Sequence, residues 1–472
     1  MATKKQFVRD YVKAIRDGNA AVFAGAGLSR PSGFVVWKEL LRPLAEDIGL
    51  KIDDEHDLTE VAQYIRNKSG NRAAINATIL DAYGKNVETN SNVSILTRLP
   101  IYTYWTTNYD HLIEDGLKEA NRNPDIKIDY KQLSATKRDR DAVIYKMHGD
   151  VDHAADAVLT KDDYVKYDQE HPFFRSVLQG DLISKTFLFI GFSFEDPNLD
   201  AILGQIKLLL NENIRNHYCF MKTVTRSECK NDEEYGYQKA RQDLREEDLK
   251  RYGIQTVFVE HYGEITNILS EIEDLVLRNN IFLSSSISTY DSDWPKEKVE
   301  GLAYAIAYAL VKNEFRITSG FGVGIGSSVI NGALDEIYES KYKHLDEHLC
   351  LRPFPQNISD PTERAAKWRR YREEILAENG IVIFMFGNKV NAGTTVIANG
   401  CIEEFELAKK QGRIIIPIGS TGYAAKQIWE ELKNDPANYS YLSGYMDKLG
   451  DETDIHNLAA IIVDIAKTVR NV

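Results

Sequence analysis

The sequence predicts an α/β protein with two Rossmann-like domains, and three observations lead to that prediction. Short apolar runs, such as residues 20–24 and 101–106, alternate with helical stretches, as in a parallel sheet covered by helices. Glycine or polar residues follow these runs, at the edge where open parallel sheets bind ligands. A further predicted strand at 281–289 begins a second alternation of strands and helices. We therefore expect domains at 1–277 and 278–472.

The overall composition is that of an ordinary globular protein, with 27% charged and 43% hydrophobic residues among 472. The formal net charge of −13 argues against a chain-wide surface for nucleic acids or anionic membranes. The amino terminus lacks the apolar segment of a signal peptide, and no stretch reaches the ~20 apolar residues of a membrane span. We expect a cytoplasmic protein without nucleic-acid or membrane partners.

The cysteines are scattered and form no CxxC pair; they are Cys219, Cys229, Cys350 and Cys401. This spacing favours buried reduced thiols over a disulfide framework or a zinc ribbon. We expect no zinc and no other metal.

A glycine-rich turn follows the first strand in the stretch NAAVFAGAGLSRPSG. Gly25 and Gly27 lack a Cβ, so their backbone can approach a phosphate with N–H groups free to donate, and Ser29 adds a hydroxyl. The same glycine pattern is also consistent with a tight turn from strand to helix that binds no ligand. This stretch alone leaves both interpretations open.

Polar residues follow three more strands of the first domain. IYTYWTTNYD ends in Asn108 and Asp110, AVIYKMHGD contains His148, and TFLFIGFSFEDPNL carries Gly191 and Ser193. Each has a structural alternative, because asparagine is common in turns, aspartate caps helices, and a buried histidine can be a hydrogen-bonded core residue. Since parallel strands end at a common edge, we expect one crevice to gather these residues with the glycine turn.

The order GAGxS, TxNxD, HG and GxS resembles the sirtuin family over about residues 5–275. The resemblance implies that His148 is the catalytic histidine and that Asn108 and Asp110 lie at the nicotinamide ribose. The NAD-binding residues that it implies are Gly25, Ala26, Gly27, Ser29, Asn108, Asp110, Gly191 and Ser193.

The chain departs from the sirtuin protein deacylases because no cysteines have the spacing of their four-cysteine zinc module. The remaining chemistry is cleavage of the nicotinamide–ribose bond with water as acceptor, through a transition state with positive charge on the ribose. Asn108 would position the water or the ribose hydroxyls, His148 would accept a proton, and Asp110 would orient or stabilise. The alternatives are a non-catalytic nucleotide sensor and a deacylase or ADP-ribosyltransferase.

The second domain has three glycine-bearing strand ends and a basic helix in ERAAKWRRYREE. The glycine loops precede helices and suit a nucleotide-type ligand, and an arginine of the basic helix can pair with a diphosphate. Structural turns and a solvated charged face are the alternatives. The residues that we expect at this ligand are Ser284, Gly322, Gly324, Arg372, Lys389, Gly393 and Glu404.

The arrangement of the second domain resembles the SLOG family over about 280–472. Related phosphoribohydrolases carry a PGGxGTxxE pattern, whereas this chain reads GNKVNAGTTVIANGCIEE, with Asn388 and Lys389 in place of small residues. We therefore expect this domain to bind a nucleotide rather than to hydrolyse one.

A sirtuin-like half followed by a SLOG half resembles the NAD-degrading effectors of bacterial Thoeris antiphage systems. The resemblance implies an NAD hydrolase that is activated when its SLOG domain binds a cyclic ADP-ribose isomer made by a partner TIR-domain enzyme. It also implies a homo-oligomer, commonly a tetramer, that depletes cellular NAD.

Overall fold

The computed structural model describes residues 2–194, 196–210, 214–341 and 343–471. The chain divides into two compact units, Met1–Glu273 and Asp274–Val472. Each unit is built on a parallel sheet, so the predicted α/β class with two Rossmann-like sheets is confirmed. Among the described residues, no helix combines the length and the apolar character that a membrane crossing requires.

The first unit contains a seven-stranded sheet in which all neighbouring strands are parallel, in the order β3-β4-β2-β1-β5-β6-β7. Its strands are β1 Ala20–Ala24, β2 Thr103–Thr106, β3 Pro124–Lys127, β4 Ala142–Lys146, β5 Thr186–Ile190, β6 His217–Lys222 and β7 Ile254–Val259. Every residue of β1 and β5 is buried. This burial explains why both strands appear in the sequence as unbroken apolar runs.

The helices of the first unit connect and flank these strands. They are α1 Lys4–Arg16, α2 Ala26–Ser29, α3 Trp37–Asp47, α4 Leu58–Ser69, α5 Ala73–Tyr83, α6 Ser91–Arg98, α7 Leu112–Glu119, α8 Lys161–Glu170, α9 Phe174–Ser184, α10 Pro197–Leu210, α11 Asp232–Arg251 and α12 Gly263–Leu277. Local sequence sets several ends: the Thr3 side chain accepts from the Gln6 N–H at the start of α1, and Gly70 ends α4 in the left-handed conformation.

A close backbone approach joins the turn after β1 to the turn after β5. The Gly25 N–H donates to the Ile190 carbonyl at 3.0 Å, and the Gly27 N–H donates to the Gly191 carbonyl at 2.9 Å. Gly191 has a φ of +65°, and a Cβ on it would lie 2.1 Å from the backbone nitrogen of Leu28. Only glycine fits there, since any other residue would both clash and strain the backbone.

The second unit contains a five-stranded parallel sheet in the order β10-β9-β8-β11-β14 and a separate antiparallel hairpin, β12-β13. Its strands are β8 Asn280–Ser286, β9 Arg316–Ser319, β10 Leu349–Leu351, β11 Ile381–Phe386, β12 Asn388–Asn391, β13 Thr394–Ile397 and β14 Ile414–Pro417. Its helices are α13 Lys296–Lys312, α14 Gly326–Glu339, α15 Leu345–His348, α16 Pro361–Ala377, α17 Asn399–Lys410, α18 Tyr423–Lys433, α19 Met446–Asp451 and α20 Ile455–Asn471.

The hairpin corrects the sequence prediction, which placed Lys389 and Gly393 in an irregular glycine loop. Lys389 lies on β12, and Gly393 lies in the two-residue turn between the strands. Ala392 and Gly393 both have positive φ, 49° and 78°, which is the backbone of a type I′ turn. Val390 before the Ala392-Gly393 turn and the β-branched run Thr394–Ile397 after it were the available signal for a hairpin.

Replacing Gly191 with alanine should destabilise the first unit more than a glycine replacement without steric conflict. Gly18 provides the matched control because it also has positive φ, +69°, but a Cβ there would meet nothing within 4 Å. Gly18→Ala should cost only the backbone strain, about 1–2 kcal/mol. Gly191→Ala should add an overpacking cost of about 1–3 kcal/mol. Thermal unfolding of the two full-length variants measures the difference, and equal melting temperatures would contradict this account.

Candidate functional site

Four adjacent strands of the first sheet end beside the residues that the sequence analysis singled out. In the order β4, β2, β1 and β5, these strands precede His148, Asn108, the glycine turn 25–29 and Gly191. Because the four strands are parallel, the structure brings these residues to one edge of the sheet. Ser193, two residues after Gly191, is exposed near the same edge.

The turn after β1 and the turn after β2 are connected through Asn108. Its side-chain amide donates to the Ser29 hydroxyl at 2.9 Å, and its backbone N–H donates to the Thr106 hydroxyl at 2.9 Å. Ser29 is buried, whereas Asn108 is only half-buried. Asn108 is therefore a turn residue whose side chain is also held at the open edge.

The glycine turn differs from the sequence expectation in one respect. The N–H groups of Gly25 and Gly27 were expected to be free, but both donate to carbonyls of the segment that ends β5. A Cβ on Gly25 would lie 2.5 Å from the Gly191 carbonyl oxygen and one on Gly27 would lie 2.8 Å from the Gly191 Cα, so packing between the two turns explains both glycines. Gly191 belongs to the same contact, so its conformation is explained by packing alone.

Asp110 is buried just before α7, and its two carboxylate oxygens have different surroundings. Oδ1 accepts from the Leu112 N–H at 3.1 Å, but His111 is the N-cap of α7, so Asp110 precedes the cap instead of forming it. Within the described residues, Oδ2 has no hydrogen bond. Burial raises the pKa of Asp110 above its ordinary value, although the nearby Lys146 ammonium opposes the rise.

A buried lysine that the sequence analysis missed holds this loop in place. The Lys146 ammonium donates to the carbonyls of Tyr109 at 3.2 Å and Asp110 at 2.7 Å, and it pairs with Glu114 at 2.9 Å and Asp150 at 2.5 Å. Burial disfavours its charge, but the two carboxylates outweigh that effect and raise the pKa of Lys146. A lysine within the apolar run AVIYKMHGD was the available signal.

His148 is enclosed by three side chains and is 1% exposed. Its Nε2 lies 2.9 Å from the Asp196 carboxylate. Its ring stacks on Trp37 at a centroid distance of 5.8 Å and meets the edge of Tyr164 at 5.5 Å. The sequence analysis did not assign these partners to the site, because they come from three distant segments of the chain. The aromatic and acidic surroundings distinguish His148 from a histidine in an aliphatic core.

One group of potential metal ligands lies nearby, formed by His111, Asp150 and Asp152. Asp150 already accepts from His111 at 3.0 Å and pairs with the Lys146 ammonium. These interactions hold the pKa of the Asp150 carboxyl well below its usual range, despite its burial. None of the cysteines belongs to this group, and all four are free thiols. Cys229 and Cys350 are only half-buried, which corrects the expectation of buried thiols.

In the second unit, Arg372 is held between two acidic residues of α17. Its Nε donates to Glu404 at 3.1 Å, and another guanidinium nitrogen donates to Glu403 at 2.8 Å. The guanidinium also lies 5.0 Å from the ring centroid of Phe354. The Ser284 hydroxyl donates to Glu404 at 2.5 Å, and burial raises the pKa of Glu404. The structure thus brings Ser284, Arg372 and Glu404 together.

The other residues predicted for the second site lie on the loop after β9 and on the β12-β13 hairpin. Gly322 and Gly324 belong to the loop after β9, which lines a cavity of about 360 Å³. A Cβ on Gly322 would lie 2.1 Å from the Ser285 carbonyl, so packing against β8 explains that glycine. Within the described residues, no hydrogen bond or ion pair joins Lys389 or Gly393 to the Arg372 cluster.

Two family models match different parts of the chain. A SIR2-like domain matches residues 102–240, and a Sir2- and TIR-associating SLOG family matches residues 264–469. These matches confirm the resemblance of the two halves to sirtuin-like and SLOG domains.

Similar proteins extend over nearly the whole chain. A Bacillus cereus protein called NAD(+) hydrolase ThsA is 42% identical over 98% of this chain and 96% of its own length. A Cytobacillus dafuensis protein of the same name is 42% identical over 99% of this chain and 97% of its own length. An Acinetobacter baumannii protein of that name is 41% identical, with 96% of each chain covered. The chain therefore belongs to the ThsA family.

Proposed function

We propose that the chain is an NAD⁺ hydrolase that releases nicotinamide and ADP-ribose. The observation that carries the proposal is the convergence of Asn108, His148 and the glycine turn on one edge of four adjacent parallel strands. Relatives that are 41–42% identical over nearly the full chain are named NAD(+) hydrolases, which supports the same activity here.

The glycine turn 25–29 would receive the pyrophosphate, with Ala26 and Ser29 beside the glycines. Since the Gly25 and Gly27 N–H groups are already engaged, these glycines would contribute close approach rather than donors. Gly191 and Ser193 would lie beside the adenosine half. Asn108, already held by Ser29, would bind the nicotinamide ribose or the attacking water.

Bond cleavage would place positive charge on the ribose as nicotinamide leaves. Asp110 is buried two residues after Asn108, and its carboxylate would stabilise the positive charge on the ribose electrostatically. His148 would accept the proton from water or from a ribose hydroxyl. Because His148 is 1% exposed in this structure, a reacting group would reach it only after neighbouring side chains move. This enclosure supports an enzyme whose activity is controlled.

The second unit would bind the activating signal, a cyclic ADP-ribose isomer supplied by a TIR-domain partner. The match to a Sir2- and TIR-associating SLOG family supports this assignment. Arg372 would bind a phosphate of the signal, with Lys389 as a second cation and Glu404 at a ribose hydroxyl. Gly322, Gly324, Gly393 and Ser284 would complete the site. Activation in a homotetramer would deplete cellular NAD.

Removing Asn108 or His148 should abolish nicotinamide release while leaving the protein folded and able to bind NAD. A positioning group and a base each contribute about 10²–10⁴-fold to a reaction rate. Asn108→Ala and His148→Ala are compared with Asn86→Ala and His56→Ala, which alter exposed residues of the same types. Chromatography follows nicotinamide, ADP-ribose and any modified protein, with cyclic ADP-ribose isomers present.

Near-parental turnover by both site variants would contradict the catalytic assignment. Transfer of ADP-ribose to protein would favour a transferase instead. Binding of NAD without any nicotinamide release by the parent protein would favour a nucleotide sensor.

Removing positive charge in the second unit should weaken binding of the activating signal. Loss of one charge-assisted contact costs about 1.5–3 kcal/mol, or roughly ten- to hundred-fold in affinity, so a single Arg372→Ala variant should be partly rescued by excess signal. The Arg372→Ala, Lys389→Ala double variant should resist rescue. Calorimetry with cyclic ADP-ribose isomers measures the affinities. Arg370→Ala is the matched control because Arg370 lies on the same helix with its side chain 82% exposed. Parental affinity in the double variant would refute this site.

The purified chain should contain far less than one zinc per chain. Within the described part of the chain, no cysteine belongs to a group that could coordinate a metal. Elemental analysis after dialysis against a chelator provides the measurement. Stoichiometric zinc that survives dialysis would restore the deacylase interpretation.

A further inference from the structure

We propose that Asp196 is a positioning residue that fixes the proton of His148 on Nε2 and leaves Nδ1 as the nitrogen that accepts a proton. This inference rests on the proposed function, because it specifies how the histidine would act as a base. It adds a residue, and a choice between two ring nitrogens, that the sequence motifs do not provide.

The contacts of Asp196 hold its carboxylate against the histidine. Oδ2 lies 2.9 Å from His148 Nε2 and accepts from the Tyr164 hydroxyl at 3.2 Å. Oδ1 accepts from the Leu199 N–H at 3.0 Å, which fixes the carboxylate at the start of α10. Both oxygens are thus anchored, and the orientation of the group is set by two separate elements.

The carboxylate of Asp196 is charged although its side chain is only 8% exposed. Burial opposes the charge, but His148 and the hydrogen bonds outweigh burial and hold the pKa of Asp196 below its ordinary value. An ionised carboxylate only accepts hydrogen bonds, so the nitrogen that faces it carries the proton. The same charge would stabilise the imidazolium that forms after proton transfer.

The opposite nitrogen of the ring remains for the reaction. Within the described residues, both ring nitrogens of His148 are buried without a hydrogen bond of good geometry, but Nε2 faces the Asp196 carboxylate at 2.9 Å, whereas Nδ1 has no charged group beside it. A buried polar atom without a partner is uncommon and indicates a position that another group is meant to occupy. The Trp37 ring lies over the imidazole with 28° between the two planes, which restricts rotation of the imidazole. A ribose hydroxyl or a water at Nδ1 would complete the arrangement.

The same contacts could instead serve only to keep the histidine inaccessible to the substrate. In that case, removing the carboxylate would free the ring and raise turnover. The positioning role predicts the opposite change, so a single substitution separates the two.

The test is Asp196→Asn in the full-length protein with NAD and cyclic ADP-ribose isomers present. The amide has nearly the same shape but can present an N–H to Nε2, which favours the wrong tautomer. We expect kcat to fall about 10²–10⁴-fold with KM changed less than about threefold, because binding groups are untouched. Tyr164→Phe should lower kcat by less than about tenfold. Asp168→Asn is the matched control, because Asp168 is an exposed aspartate of the same unit.

The His148→Ala, Asp196→Asn double variant shows whether Asp196 acts through His148. It should be no slower than His148→Ala alone. Parental turnover in His148→Ala would refute the proposed function itself. If His148→Ala is inactive and Asp196→Asn retains parental kcat or exceeds it, only the positioning role is overturned.

Nitrogen NMR of the parent protein labelled with ¹⁵N-histidine gives a readout that does not depend on a variant folding. The His148 signals are assigned by their loss in His148→Ala or, if that variant is unstable, in His148→Gln. We expect the neutral imidazole to carry its proton on Nε2 and none on Nδ1. The opposite tautomer in the parent protein would overturn the proposal.

Discussion

The buried ammonium of Lys146 is the interaction on which the first site depends. It joins two carbonyls of the loop after β2 to Glu114 of α7 and to Asp150, two residues beyond His148. A fully buried cation has a high cost unless it is paired and hydrogen-bonded on all sides. Its four partners meet that requirement in the observed arrangement of the two segments. The relative position of Asp110 and His148 therefore follows from the solvation needs of one lysine.

Key charged groups in each unit are engaged by protein side chains. His148 contacts Asp196, and Arg372 is shared between Glu403 and Glu404. A ligand that uses either group must compete with these contacts. A ligand shifts the equilibrium between two conformations only if it binds one of them more tightly than the other. A ligand that must first displace an internal partner therefore binds less tightly to the conformation in which that partner is engaged. Carboxylates around Arg372 resemble phosphates in charge and geometry, which suits them to this role.

Local sequence was sufficient wherever one strand or one turn decides the structure. The unbroken apolar runs at 20–24 and 381–386 became buried parallel strands. The hairpin at Asn388–Ile397 was missed, because the expectation of a glycine loop outweighed the β-branched residues that flank its turn. Gly322 was interpreted as a ligand-binding glycine, yet a carbonyl of a distant strand explains its lack of a side chain.

The sequence by itself determined the fold class, the two halves and the edge of the first sheet at which Asn108 and His148 lie. It could do so because strand period, turn residues and motif order are local properties of the chain. Only the tertiary structure decided the partners of those residues: Ser29 for Asn108, Asp196 and Trp37 for His148, and Glu403 and Glu404 for Arg372. These contacts join segments far apart in sequence. Side-chain pairing across such distances depends on burial and charge compensation in the packed chain, which no local pattern encodes.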